Sequence, residues 1–287
     1  MNYRHLFHAG NWADVVKHAL LAWVLDYLTR KDKPLWLGDT HAGIGRYDLT
    51  DARALKTEEA LAGVVRLLAH AEAAPADVPA AARPYLQALA RENPAGGIRW
   101  YPGSPVLLRD HMRAGDRLWL NELHPDDRAL LAETMGADDR LLLSGEDGYD
   151  RFKAALPPTP RRGLVLIDPP FERRDDIDRQ ARAITQAARR WATGLMLLWY
   201  PIKDVSPALT LVAAAAAAGV SHTQIEFLVR SPARAPGRLN GCGLVVINPP
   251  HGLAAAAAML LDWVGDALAA DGGARKVDAA VRPFGSG

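Results

Sequence analysis

Asp168, Pro169 and Phe171 are the residues of this sequence whose types and spacing point most directly to chemistry. They fall in the stretch Gly-Leu-Val-Leu-Ile-Asp-Pro-Pro-Phe-Glu at 163–172. Residues 164–167 are an unbroken apolar run, which predicts a strand buried on both faces. The run stops at an acid and two prolines, which cannot extend a ladder and which hold the residues before them extended. A carboxylate, the Pro169 carbonyl and an aromatic ring are thereby presented together at the carboxyl end of a central strand, where open α/β sheets bind ligands. Two acceptors on the two N–H bonds of an adenine amine would draw its lone pair out of the ring and aim it at an electrophile. An aromatic face would stack on the base. On Asp-Pro-Pro alone, an ordinary strand-ending turn reads equally well.

The elements around this turn give it a frame. Residues 35–39 form a short strand after Pro34, ending in a glycine turn, Thr40-His41-Ala42-Gly43-Ile44-Gly45. That turn lacks the third glycine of a dinucleotide fingerprint, but it lets a ligand without phosphates approach the backbone. Further strands are expected at 117–121, 140–143, 163–167, 195–200, 223–229 and 243–247. The first five strands alternate with helices, which implies right-handed crossovers and a parallel sheet. The last two are joined by a Pro/Gly-broken loop, 231–241, too short for a crossover helix, and should pair antiparallel at one edge. Asn11 caps a first helix whose apolar positions run from Val15 to Leu28, interrupted by Lys17 and His18, which read as well as one helix's polar edge. Residues 49–97 break the alternation with two helical stretches, 57–74 and 79–91, and a linker, Asn93-Pro94-Ala95-Gly96-Gly97. The expected division is therefore a core of 1–48 and 98–287 with a helical insertion at 49–97.

Numbering the strands exposes polar groups at successive carboxyl ends. His41 and Gly43 follow the first strand, Glu122 ends the second, Asp147 and Gly148 follow the third, and Asp168 ends the fourth. A carboxylate at the second position suits ribose hydroxyls, and an acid at the third can accept from an adenine amine. Any one of them could be a solvated loop residue; four in succession call for a ligand. A second turn, Asn248-Pro249-Pro250-His251, follows the reversed strand and should point to the opposite side of the sheet.

Lys+Arg 34 against Asp+Glu 33 gives a net charge of +1 on 287 residues, so any nucleic acid must be held by a local patch. The arginines at 161, 162, 173, 174, 230, 234 and 238 are the candidates, with the 231–241 loop as the guide. The single cysteine, Cys242, excludes an internal disulfide and suits a reducing cytoplasm. Residues 1–5 lack the apolar region of a signal peptide, and no run is long enough to span a bilayer. His5 and His8 lack the partners a metal site would need.

The Asp-Pro-Pro-Phe turn resembles the (D/N/S)-P-P-(Y/F/W) signature of S-adenosylmethionine-dependent amino-methyltransferases. A more specific resemblance begins at the N-terminus, in Tyr3, Arg4, His5, Phe7, His8, Ala9, Gly10, Asn11, Ala13, Asp14, Val15, Lys17 and His18. It continues through Asp39-Thr40-His41-Ala42-Gly43, Tyr101-Pro102-Gly103-Ser104-Pro105, Glu122-Leu123-His124-Pro125, Asp147-Gly148, Leu198-Trp199-Tyr200-Pro201 and Asn248-Pro249-Pro250. These blocks are similar to the bacterial ribosomal RNA large-subunit methyltransferase J family, which methylates an adenine amine in 23S ribosomal RNA. The resemblance implies a Rossmann-like methyltransferase fold, α/β, with a seven-stranded, mostly parallel sheet and its last strand antiparallel. It implies S-adenosyl-L-methionine as cofactor, contacted by His18, His41, Gly43, Ser104, Glu122, Asp147, Gly148 and Asp168. Asp168, Pro169 and Phe171 would be catalytic, and Tyr3, His5 and Lys17 would reach the target nucleotide. The expected partner is 23S ribosomal RNA, with neither membrane nor metal, and the chain is expected to be a cytoplasmic monomer. Phe171 stands where the family reads Tyr, which keeps the stacking face and loses a hydroxyl. Guanine-N2 methylation, DNA adenine-N6 methylation and a non-catalytic RNA-binding assembly factor are the alternatives.

Overall fold

The computed structural model describes residues 5–270 and 273–280. In chain order these form α1 (Trp12–Thr29), β1 (Trp36–Asp39), β2 (Arg46–Asp48), α2 (Ala52–Thr57), α3 (Arg66–Ala73), α4 (Arg83–Glu92), β3 (Trp100–Pro102) and α5 (Ser104–Asp110). Then follow β4 (Arg117–Asn121), α6 (Pro125–Met135), β5 (Leu141–Ser144), α7 (Gly148–Ala155), β6 (Gly163–Ile167), α8 (Asp176–Arg190) and β7 (Leu195–Ile202). The chain continues through α9 (Ala208–Ala217), β8 (His222–Leu228), β9 (Gly241–Ile247), α10 (Leu253–Leu268) and β10 (Ala274–Ala280).

The main sheet has the order β10-β8-β9-β7-β6-β1-β4-β5. Strands β5, β4, β1, β6 and β7 run parallel. The chain leaves β1 toward β4 and β5, then returns to its other side with β6, so the order reverses beside β1 and opens a crevice there. All seven expected strands are present, and β10 adds an eighth. Two strands are reversed: β9, which does not lie at the edge but is wedged antiparallel between β7 and β8, and β10, which pairs antiparallel with β8 at the edge. The apolar run of β6 explains its central place, since every residue from Gly163 to Ile167 is buried. Leu164 and Leu166 face the layer of α1, α4, α5 and α10, whereas Val165 and Ile167 face α7, α8 and α9. No helix among the described residues is long and apolar enough to cross a membrane.

Residues 49–97 leave and re-enter beside each other, because β2 and β3 pair as an antiparallel ribbon, Arg46 opposite Pro102 and Asp48 opposite Trp100. The single helix expected over 57–74 is broken. Glu58 takes φ 54°, a π-type turn follows at Leu61–Val65, and only then does α3 begin. Packing is the reason: the Gly63 backbone lies against the N-terminal turn, Val64 N donates to the Gly10 carbonyl at 2.8 Å, and a Cβ on Gly63 would sit 2.2 Å from that oxygen.

Asn248 ends β9 and so stands at the pole of the sheet opposite Asp168. Its side-chain amide donates to the carbonyls of Ala192 and Gly194, ahead of β7, and its own φ is +50°. Asn248→Ala removes both bonds and leaves a residue with a Cβ in the left-handed region. The expected cost is about 2 kcal/mol in urea denaturation, with any catalytic rate at the opposite pole changed by less than about tenfold.

Candidate active site

The carboxyl ends of β1, β4 and β6, the start of α1 and the loops before α7 and α8 enclose a cavity of about 700 Å³. Asp168, Pro169, Pro170 and Phe171 form one wall. Phe171 adopts φ +52°, a conformation that costs a non-glycine residue on the order of 1 kcal/mol. Its ring meets Trp199 of β7 edge to face, with centroids 5.6 Å apart. No feature of the sequence announced this support.

Lys17 is only 4% exposed. Its ammonium lies 2.6 Å from Asp168 Oδ2 and 2.9 Å from Asp14 Oδ1, and 5.9 Å from the centroid of the Trp199 ring. Burial alone would lower the Lys17 pKa, but the charges of Asp14 and Asp168 override it and hold the side chain protonated, well above its ordinary value. Asp14, buried as well, also pairs with His5 Nε2 at 2.8 Å and accepts from Gly10 N. Burial would raise this carboxyl; His5 and Lys17 hold it well below the usual range instead. Lys17 lines the cavity as the middle of a His5–Asp14–Lys17–Asp168 chain. Tyr3 lies outside the described residues.

The other expected residues gather on the side of β1 and β4. Glu122 accepts from Gly43 N and from His124 N, both at 2.8 Å, one on each carboxylate oxygen. Burial raises its pKa. Gly43 takes φ +62°, and a Cβ there would strike the Tyr47 hydroxyl, so its small size serves the loop's own packing. Asp147 caps α7 through Tyr149 N and Asp150 N and pairs with Arg179. Burial works against the Asp147 charge, and the Arg179 bond outweighs it, so the pKa falls. Arg179 also stacks 4.3 Å above Tyr149. Gly148 lies against the His41 ring, whose Nδ1 meets Thr40 Oγ1 at 2.7 Å. Burial lowers the His41 pKa to about 4. Ser104 opens α5 at the cavity wall. His18 bonds through Nδ1 to the Tyr101 hydroxyl at 2.8 Å, while its buried Nε2 has no partner.

Sequence reasoning missed Asp39. It ends β1 as Glu122 ends β4, so the same logic of acids at strand ends would have found it. Oδ1 accepts from His41 N at 3.0 Å and the buried Oδ2 is unpartnered. Asn121 was also missed: its amide donates to the Thr40 and Glu146 carbonyls and ties the loops after β1 and β5 together. Among the charged groups, Arg161 and Arg162 precede β6 and so stand at the opposite pole from the cavity, where Arg162 donates to the carbonyls of Leu28 and Lys33. Their assignment to the RNA side is thereby corrected. His5 and His8 engage different acids, Asp14 and Glu59, and no cluster of three metal-ligating side chains occurs among the described residues.

This geometry fits a nucleoside sulfonium cofactor in kind: the carboxylates of Glu122 and Asp147 line the cavity, and two buried atoms, His18 Nε2 and Asp39 Oδ2, have no partner. A family model described as ribosomal RNA large subunit methyltransferase D, RlmJ, matches residues 32–281. Ribosomal RNA large subunit methyltransferase J of Escherichia coli strain K12 is 38% identical over 265 residues, 92% of each chain. The Haemophilus influenzae protein of the same name is 36% identical over 274 residues, 95% of each chain. A Legionella pneumophila crystal structure superposes with a TM-score of 0.85 at 32% identity, covering 95% of this chain and 98% of that one.

Burial raises the Asp39 carboxyl from 3.8 to about 6. Between those values the folded state binds more protons than the unfolded, so this group's contribution to stability falls as pH rises from about 4 to about 6. Asp39→Asn should therefore gain on the wild type over that interval, by on the order of 2 kcal/mol, in paired urea titrations at pH 4.5 and 7.

Proposed function

The chain belongs to the ribosomal RNA large subunit methyltransferase J family and is an S-adenosylmethionine-dependent ribosomal RNA methyltransferase; on that premise we propose that it methylates the exocyclic N6 amine of an adenine in 23S ribosomal RNA. The observation that carries the reading is the Asp168–Lys17 pair at the mouth of the Asp-Pro-Pro-Phe turn. With its Oδ2 held by a permanent cation, Asp168 is a fixed anion whose Oδ1 can accept one amine hydrogen. The Pro169 carbonyl accepts the other, and the Phe171 ring stacks on the base. The amine lone pair is thereby turned out of conjugation without prior removal of a proton. When bound, S-adenosylmethionine supplies the electrophilic methyl group. Glu122 would hold its ribose, Asp147 and the Gly148 backbone its adenine, and His18, His41, Ser104 and Asp39 its remaining polar groups.

His5 and Lys17 act on this reading as the floor beneath the target nucleotide. Arg173 and the 231–241 loop border the cavity mouth and would meet RNA phosphates; Lys203 and Leu239 already line it. Catalysis then comes from positioning and from an anion aimed where amine acidity develops.

Nucleoside mass spectrometry of 23S ribosomal RNA incubated with the protein and S-adenosylmethionine should return N6-methyladenosine; N2-methylguanosine would overturn the base assignment. In single turnover, Asp168→Asn removes the charged acceptor and should slow methyl transfer about a hundredfold, near 3 kcal/mol; it also leaves the buried Lys17 with half its counter-charge, so its unfolding midpoint should fall as well. Lys17→Met leaves Asp14 and Asp168 buried together without their cation. It should lose about 3–5 kcal/mol of stability in chemical denaturation, besides activity.

A further inference from the structure

Beyond the cavity wall, His18 begins a buried file of hydroxyls. Its Nδ1 lies 2.8 Å from the Tyr101 hydroxyl, which lies 3.1 Å from the Tyr85 hydroxyl, and all three side chains are buried. Tyr85 stands on α4, inside the 49–97 insertion, and Tyr101 on β3 where the insertion rejoins the sheet. Among the described residues, the Tyr85 hydroxyl has no partner except Tyr101. The file therefore ends blind.

Burial and then the Lys17 charge keep the His18 ring neutral, with one N–H to place. In one arrangement Tyr85 donates to Tyr101, Tyr101 donates to His18 Nδ1, and the imidazole proton sits on Nε2. In the other, His18 Nδ1–H donates to Tyr101 and Tyr101 to Tyr85, which strands the Tyr85 hydrogen in an apolar interior. Facing the cavity, the Nε2 proton of the first arrangement can be taken by an acceptor there, whereas the Tyr85 hydrogen of the second has none within reach, which disfavours the second by roughly tenfold or more. We propose that Tyr101, backed by Tyr85 at the closed end of the file, is a positioning residue that fixes His18 as the Nε2–H tautomer, a hydrogen-bond donor to an anionic acceptor in the cavity. His18 lines that cavity and its Nε2 is otherwise unpartnered. Resting on the function proposed above, the acceptor is the carboxylate of the cofactor's amino-acid end, the one anionic group that molecule carries.

The test uses the full chain labelled with 15N-histidine, with a His18→Phe variant to assign the signal. The wild type should show a protonated Nε2 and a bare Nδ1 on His18. Tyr101→Phe removes the donor to Nδ1, so the second tautomer should appear. Calorimetric affinity for S-adenosylhomocysteine should then fall about twofold or more, as the competent tautomer becomes a fraction of the population. Decarboxylated S-adenosylhomocysteine should lose nothing on that substitution. Tyr85→Phe also deletes a buried hydroxyl, yet it leaves Tyr101 no acceptor but Nδ1, so the wild-type tautomer should persist. A proton on Nδ1 in the wild type, or an unchanged tautomer in Tyr101→Phe, would overturn the proposal. The expected tautomers in a wild type that fails to bind S-adenosylhomocysteine would overturn the cofactor reading and leave the tautomer assignment standing.

Discussion

A buried ammonium shared by two carboxylates is the constraint on which the site depends. Lys17 and Asp14 are withdrawn from water and the Asp168 side chain is only 16% exposed, so the three charges are held as one compensated cluster. Together they join the first helix to the turn after β6, across 151 residues of sequence. The pairing sets the position of Asp168 more tightly than the turn alone could, because the prolines fix the backbone but not the carboxylate's rotamer. Trp199 closes the underside of this arrangement, touching Phe171 and lying near the Lys17 charge.

The other acids of the site are oriented differently, by main-chain N–H groups. Glu122 is gripped by Gly43 and His124, Asp39 by His41, and Asp147 by the first turn of α7. Backbone donors at loop positions are fixed by the sheet and by Asn121, so these carboxylates are aimed before anything binds. One end of the cavity is thus built from rigid anions suited to hydroxyls and amines. The other end holds a compensated charge cluster beside the reacting turn.

Much of this was legible because strand ends are legible. An apolar run that stops at an acid locates both the strand and the carboxylate, and the same rule yields Glu122 and Asp168 alike. The crossover pattern fixed which ends lie together, and it separated Asn248 from Asp168 although both precede Pro-Pro. What stayed hidden depends on partners far away in sequence. Nothing near Lys17 says that it meets a residue 151 positions on, and nothing in the 57–74 stretch says that Gly63 must flatten against Gly10. The left-handed Phe171, the Arg179–Asp147 pair and the placing of β9 inside the sheet are likewise outcomes of packing, which local propensity does not encode.

The long reach of Lys17 bears on how the molecule is made. Synthesis proceeds at roughly 5–20 residues per second, so α1 leaves the ribosome roughly 8–30 seconds before Asp168 exists to complete its ion cluster. Over that interval the helix cannot take its final seat without interring a lysine that has only half its counter-charge, and α10, against which it also packs, is made later still. The helix α1 is therefore made well before β6 and α10 and is among the last to dock. A nascent chain halted before β6 would display α1 to the solvent, and to chaperones, as an undocked and largely apolar helix.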